Sequence, residues 1–262
     1  MQLQEQIERS LAALGGRYAC VVVRMDEDAP RELASINPDE VFPSASLIKV
    51  PILLEVARLV EFSLLSWERR YAITDAARVG SDGVVGDLSP DLQPTLGDLA
   101  HLMITISDNT ASNMLLDLVG IEAVNATLRN LGLNATRVER RFLDFEARRG
   151  GRDNWTTAAD MALLFSFFCT DLLPGKDIML RMLLRQNDYS ILPAYWGDDI
   201  PFAHKTGGLD GIIHDAGILY PPDRPRSPLI IAVLTADQPD VPLARLTLAR
   251  VGKMIYEAHN AG

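Results

Sequence analysis

Ser46 and Lys49 stand three residues apart in Ser46-Leu47-Ile48-Lys49, at the head of a run that stays apolar through Val50, Ile52, Leu53, Leu54, Val56 and Leu59 to Val60. A helix apolar on all sides is a buried one, and the i, i+3 spacing puts the hydroxyl and the ammonium on one face. Desolvation disfavours the charged lysine, and an amine of that kind beside a hydroxyl can activate a serine nucleophile. Taken alone, S-x-x-K is a weak pattern that a chain of this length meets about once by chance. Two further groups follow it: Ser107-Asp108-Asn109 and Lys205-Thr206-Gly207. Each has a plain reading, the first as turn and cap chemistry, the second as an edge strand entering a turn. Their contexts differ, namely a helix start, an inter-helix loop and a strand.

The elements that must position these groups are readable in outline. Leu3, Ile7, Leu11 and Leu14 recur at helical spacing before Gly15-Gly16, which predicts a first helix with a glycine end. Tyr18 to Met25 and Glu32 to Ile36 read as two strands of a hairpin. Pro51 falls inside the apolar helix and predicts a kink. Residues 67 to 94, punctuated by glycine and proline, read as irregular connection. Thr95-x-x-Asp98 predicts a capping box opening a helix from Leu96 to Ile106. Helices follow at 110–119 and 121–131, closed by Gly120 and Gly132. Arg137 to Asp153, the most charged part of the chain, reads as a long, ordered, salt-bridged loop of the functional sort. Thr157-x-x-Asp160 opens another helix to about Cys169, and a shorter one spans 175–185. From residue 200 the period changes to strands at 201–207, 214–220 and 229–236, and Asp240 with Pro242 starts a last helix over 241–258. Strands from both ends can therefore join one antiparallel sheet flanked by the terminal helices, with a helical lobe between.

The chain has 262 residues, 48% hydrophobic, 23% charged, with a net charge of -10. That is enough to bury a sizeable core as one domain or two intimate subdomains. The acidic balance excludes a nucleic-acid surface, whose footprint is basic. No run reaches the roughly 18 apolar residues that span a bilayer. The first residues have neither the basic nor the apolar region of a secretory signal, which fits cytoplasmic synthesis or a leader already removed. Cys20 and Cys169 lie in apolar runs and read as buried free thiols. They and the four histidines show no metal-ligand spacing, so neither a metal nor another cofactor is expected.

The three groups, in this order, resemble the signature of class A β-lactamases and penicillin-binding proteins, and the likeness extends over nearly the full length. It includes Phe42-Pro43 before the serine and Asp153-Asn154 through Met161 after the charged loop. The resemblance implies a mixed α/β fold, a five-stranded antiparallel sheet packed by terminal helices plus an all-helical lobe. It is read as one domain over 1–262, with an α/β lobe of 1–40 and 191–262 and a helical lobe of 41–190. It implies a monomer acting on a small-molecule β-lactam or an acyl-peptide or ester, through an acyl-enzyme on Ser46. Lys49, if neutral, takes the serine proton, and Ser107 relays it to the departing nitrogen. Asn109 holds the substrate amide, and Lys205 and Thr206, with Gly207 after them, face the substrate carboxylate. The backbone N–H groups of Ser46 and Gly208 form the oxyanion hole, with Gly208 permitting close approach of the backbone.

Two departures from the family pattern matter. Class A enzymes carry on the long loop a glutamate that activates the deacylating water; Phe142 stands in its place. Glu146, just beyond, is a substitute base or merely a partner for the loop arginines. The family's carboxylate-binding arginine on the last strand is replaced by Leu229, and Arg245 is its candidate substitute. A β-lactam hydrolase is the leading reading. A penicillin-binding-type D-alanyl peptidase or esterase, favoured by the missing glutamate, is the second, and a non-catalytic binding protein on the same fold is the third.

Overall fold

Strands from the two ends of the chain meet in one five-stranded antiparallel sheet. The computed structural model describes residues 2–80, 83–89, 91–197 and 199–261. The strands are β1 (Arg17–Met25), β2 (Pro30–Ile36), β5 (Phe202–Leu209), β6 (Ile212–Leu219) and β7 (Leu229–Ala236), in the order β2-β1-β7-β6-β5, while β3 (Phe42–Pro43) and β4 (Trp155–Thr156) form a separate pair. The helices are α1 (Leu3–Ala12), α2 (Lys49–Glu61), α3 (Leu96–Thr105), α4 (Asn109–Val119), α5 (Ile121–Asn130), α6 (Phe145–Arg149), α7 (Ala158–Phe167), α8 (Lys176–Leu183) and α9 (Val241–Ala261). No described helix is long and apolar enough to cross a membrane.

Alternation along the strands divides the core into two layers. Ile231 and Val233 face α1 and α9 together with Ile7, Leu11, Leu248 and Val251. Ile230, Ala232 and Leu234 face α2 and α7, among Leu53, Met161 and Phe165. β7 is buried along its whole length, so it reads in the sequence as a continuous apolar run and not as an alternating one. The expected capping box is present: Thr95 accepts from Asp98 N–H while Asp98 accepts from Thr95 N–H.

The nucleophile stretch begins not with α-helix but with a 3-10 turn over Ala45–Ile48, and α2 starts at Lys49. Pro51 is therefore the third residue of α2, in the first turn, where backbone N–H groups have no intrahelical partner anyway. The kink expected at Pro51 loses its cause, and the helix runs unbroken to Glu61.

Two features of the charged segment were not legible. It holds a short helix, α6, capped by Asp144, whose carboxylate accepts from Ala147 N–H at 2.9 Å. Five residues are too few to show a period. Its ends are also stitched to the serine: β3 pairs with β4, and Ser44 N–H donates to Asn154 O at 2.8 Å. Arg140 and Arg148 both close on Asp153, at 2.6 and 3.1 Å. The Asn154 side chain accepts from the N–H groups of Glu139 and Arg140. The segment is a clamped loop whose neck lies beside the nucleophile.

Candidate active site

Backbone strain marks the two hydroxyl-bearing turns. Ala45 and Ser107 are non-glycine residues at φ +46 and +59, each costing on the order of 1 kcal/mol. The strain at Ser107 is held by its neighbour. Asp108 caps α4 through Ala111 N–H at 2.8 Å and also accepts from Val84 and Val85 N–H at 2.6 and 2.8 Å. Gly83, at φ +120, passes so close to that carboxylate that a Cβ would strike it. One aspartate thus ties the loop before α3 to the turn that presents Ser107 and Asn109.

Lys49 is fully buried, and its ammonium donates to Ser107 O at 2.6 Å, Ser107 Oγ at 3.0 Å and Asn109 Oδ1 at 2.8 Å. From the other side Lys205, also fully buried, donates to Ser107 Oγ at 3.1 Å and to Thr206 O at 2.9 Å. A hydroxyl oxygen has two lone pairs and one proton. With both lone pairs taken by ammonium groups, the Ser107 proton is left to point away from the lysines. Burial pushes Lys205 down to about 7, against the pull of Asp215 and Asp188, which favour its cation.

The turn carrying Ser46 packs on β5, the terminal strand of the sheet. A Cβ on Gly207 would stand 3.2 Å from Ser46 N and from Ala45 Cβ, whereas one on Gly208 would meet nothing nearer than 4.0 Å. The close contact with the serine turn is therefore made by Gly207, which the strand pleat turns toward it. His214 locks the same junction from behind. Its Nε2 lies 2.8 Å from Pro43 O, and its Nδ1 lies 3.1 Å from Thr235 N and 2.9 Å from Ile213 O. Burial lowers its pKa to about 4, which keeps the ring neutral in this role.

Ser46, Ser107, Thr206, Gly207, Gly208 and Arg245 line one cleft of ≈ 460 Å³, within the range that takes a small ligand. Arg245 reaches it from α9 and is held by Asp188 at 3.2 Å and by Ser190 Oγ. A smaller recess of ≈ 100 Å³ lies beside Ser46 under the charged loop, lined by Asn109, Phe142, Leu143, Phe145 and Asn154 among others. Phe142 is pinned there by Asn113, whose side chain accepts from Phe142 N–H at 2.9 Å and donates to Phe142 O at 3.3 Å. Its ring lies over Lys49, 4.7 Å from centroid to Nζ.

Of the residues singled out in the sequence, the structure brings Ser46, Lys49, Ser107, Asn109, Lys205, Thr206, Gly207, Gly208 and Arg245 together. It does not bring Glu146. That residue is exposed in the first turn of α6, lines neither the cleft nor the recess, and its carboxylate has no partner among the described residues. The short helix turns Ala147 inward, which carries Glu146 outward; a loop without that helix left its direction open. Asn113 and Asp188 went unread. Asn113 lies one helical turn after Asn109, on the same face, which is a signal the sequence did carry.

The family described as "Beta-lactamase enzyme family" matches residues 2–259. A β-lactamase of Streptomyces fradiae is 33% identical over 236 residues, 84% of this chain and 75% of that protein. A β-lactamase structure from Sphaerobacter thermophilus superposes with a TM-score of 0.87 at 28% identity, covering 98% of both chains. A leucine-to-glutamate mutant of PBP-A, solved as an acyl-enzyme complex with penicillin G, gives 0.88 at 27% identity over 99% of this chain and 97% of that one.

Proposed function

The chain belongs to the β-lactamase enzyme family and is a hydrolase, and within that frame we propose that Ser46 is acylated by carboxylate-bearing β-lactams and that release of the acyl group limits turnover. The observation that carries the first half is the position of Ser107 Oγ between Lys49 and Lys205. Ser46 Oγ attacks the lactam carbonyl, forming the acyl C–O bond while the C–N bond breaks. Lys49 must first shed a proton to act as a neutral amine; it then takes the Ser46 proton, and Ser107 gives its own proton to the departing nitrogen as it takes one from Lys49. Ser46 N–H and Gly208 N–H hold the oxyanion, each worth about 3 kcal/mol to the transition state. The protonated Lys205, with Thr206 and Arg245, receives the substrate carboxylate, and Asn109 the side-chain amide.

The second half rests on the recess beside Ser46. A deacylating water needs a base within hydrogen-bond reach, and the side chains lining that recess include no carboxylate. A ring occupies the face of Lys49 where a base would act. This favours a second reading on the same chemistry, a penicillin-binding-type D-alanyl peptidase or esterase for which β-lactams are slow substrates. The assembled quartet of Ser46, Lys49, Ser107 and Lys205 speaks against a purely non-catalytic binder.

Intact mass after mixing with penicillin tests both halves. A persistent adduct on the native protein, absent in Ser46→Ala, is expected. An adduct that survives in Ser46→Ala removes Ser46 as nucleophile. Rapid return of the native protein to its free mass removes the slow-release reading.

A further inference from the structure

Asp215 is a charged residue in the middle of an apolar strand, and it is fully buried. In β6 it stands directly opposite Thr206, and the adjacent pair is Lys205 with Ala216. Asp215 Oδ1 lies 2.8 Å from Nδ1 of His204, also fully buried, and Oδ2 accepts Leu192 N–H at 3.2 Å. The His204 ring stacks on Phe202 at 4.3 Å between centroids, with Tyr189 at 5.7 Å. Its Nε2 is buried without a hydrogen-bond partner among the described residues, so the ring's polar engagement is with Asp215. The strand pair is shaped for this ring. Gly217, opposite His204, has no room for a side chain, since a Cβ there would lie 2.5 Å from that of His204.

A buried carboxylate is costly unless other charges and hydrogen bonds answer it. The charged and titratable groups around this one come from several elements. β5 supplies His204 and Lys205. The segment before the 3-10 turn at Leu192–Tyr195 supplies Asp188, which grips Arg245 of α9. Ser107 faces Lys205 from the α3–α4 turn, with Lys49 of α2 beyond it. Asp215 and Asp188 both favour the Lys205 cation. Leu192, which donates to Asp215, follows two residues after Ser190, which bonds Arg245. The carboxylate therefore joins the strand bearing Lys205 and Thr206 to the segment that holds Arg245.

We infer that the His204–Asp215 pair is a positioning device for the cations of the cleft: it fixes the strand that bears Lys205 against the segment that holds Arg245, and places a carboxylate on the far face of that strand. This rests on the assignment of those cations to the substrate carboxylate. Neither member of the pair touches substrate. Asp215→Asn keeps the shape and the acceptor for Leu192 N–H but removes the charge, so Lys205 should deprotonate at lower pH. His204→Phe keeps the stack and removes the polar partner; without it Asp215 is protonated more readily, giving the same phenotype. His204→Asn restores a donor at the Nδ1 position and should recover native behaviour.

The chain has only four lysines, Lys49, Lys176, Lys205 and Lys253, so carbon-13 labelling at lysine Cε allows Lys205 to be titrated by NMR, assigned through Lys205→Arg. Its midpoint is expected at about 7 in the native protein. It should fall by about one pH unit in Asp215→Asn and His204→Phe and return in His204→Asn, while Lys176 and Lys253 stay fixed. In parallel, the alkaline limb of Ser46 acylation should move down by the same amount for penicillin and not for its methyl ester. An unmoved Lys205 midpoint in Asp215→Asn, or equal loss on acid and ester, overturns the inference. If the native protein never labels with penicillin, the functional reading fails, yet the NMR titration still decides this one. Should Asp215→Asn not fold, the His204→Phe and His204→Asn pair carries the same comparison.

Discussion

Placing a glutamate at Phe142 should turn a stalled acyl-enzyme into one that turns over. The backbone there is clamped on both polar groups by Asn113, so a new side chain inherits the direction of the old one. The ring centroid lies 4.7 Å from Lys49 Nζ, close to where the carboxylate carbon of a glutamate would fall, beside the recess that also touches Ser46. The substitution has a stability cost. Truncating a buried phenylalanine to alanine loses about 3–5 kcal/mol. Glutamate keeps part of that packing and gains Lys49 as a partner, leaving a net loss of about 2 kcal/mol and a Tm lower by about 5 °C. Against this, a positioned general base contributes about 10²–10⁴-fold. Deacylation should therefore speed up at least ~100-fold, with acylation changed far less. Stopped-flow bursts with a chromogenic cephalosporin separate the two steps, and intact mass follows the adduct. Phe142→Gln is the control, since it has the same shape and polarity without the base. Equal deacylation rates in the glutamate and glutamine variants would falsify the claim that a missing base is what stalls release.

Three other outcomes follow from the same geometry. Glu146→Gln should leave the burst and the steady-state rate within about two-fold, as expected of an exposed surface site; a trapped acyl-enzyme in that variant would return Glu146 to the mechanism. Because burial sets Lys205 at about 7, its cation is present below that pH and lost above it. KM for carboxylate-bearing substrates should therefore rise as pH passes through 7, in steady-state assays from pH 5.5 to 9, and a flat profile would mean that Lys205 does not meet the carboxylate as a cation. Arg140→Ala leaves the buried Asp153 carboxylate with Arg148 and the Asn154 N–H to answer it. It should cost about 3 kcal/mol in urea melts and loosen the loop that holds Phe142, with wild-type stability counting against the clamp.

The sequence alone carried the chemistry that depends on residue type and short spacing. Ser46 and Lys49 share one helical turn, Thr95 and Asp98 form their capping box, and the apolar run of 229–236 is a strand. Each depends on neighbours within a few positions, where geometry follows from local periodicity. Charge sign and the order of the three groups were equally plain, whereas the state of the two cysteines was not: both are free, with Cys20 buried and Cys169 only half-buried. Tertiary structure decided what depends on residues distant in the chain. Ser107 Oγ sits between Lys49 and Lys205, which are 58 and 98 residues from it, and no local rule predicts that a hydroxyl will accept from both. Glu146 and Phe142 are four residues apart on the same loop, yet one faces solvent and the other covers Lys49. Their directions are set by a five-residue helix, a clamp on Asp153 and the Asn113 amide, none of which has a period to read. The same holds for Asp215. Its charge inside an apolar strand was visible, but its partners, His204 and Leu192, come from another strand and a turn, and only folding brings them to it.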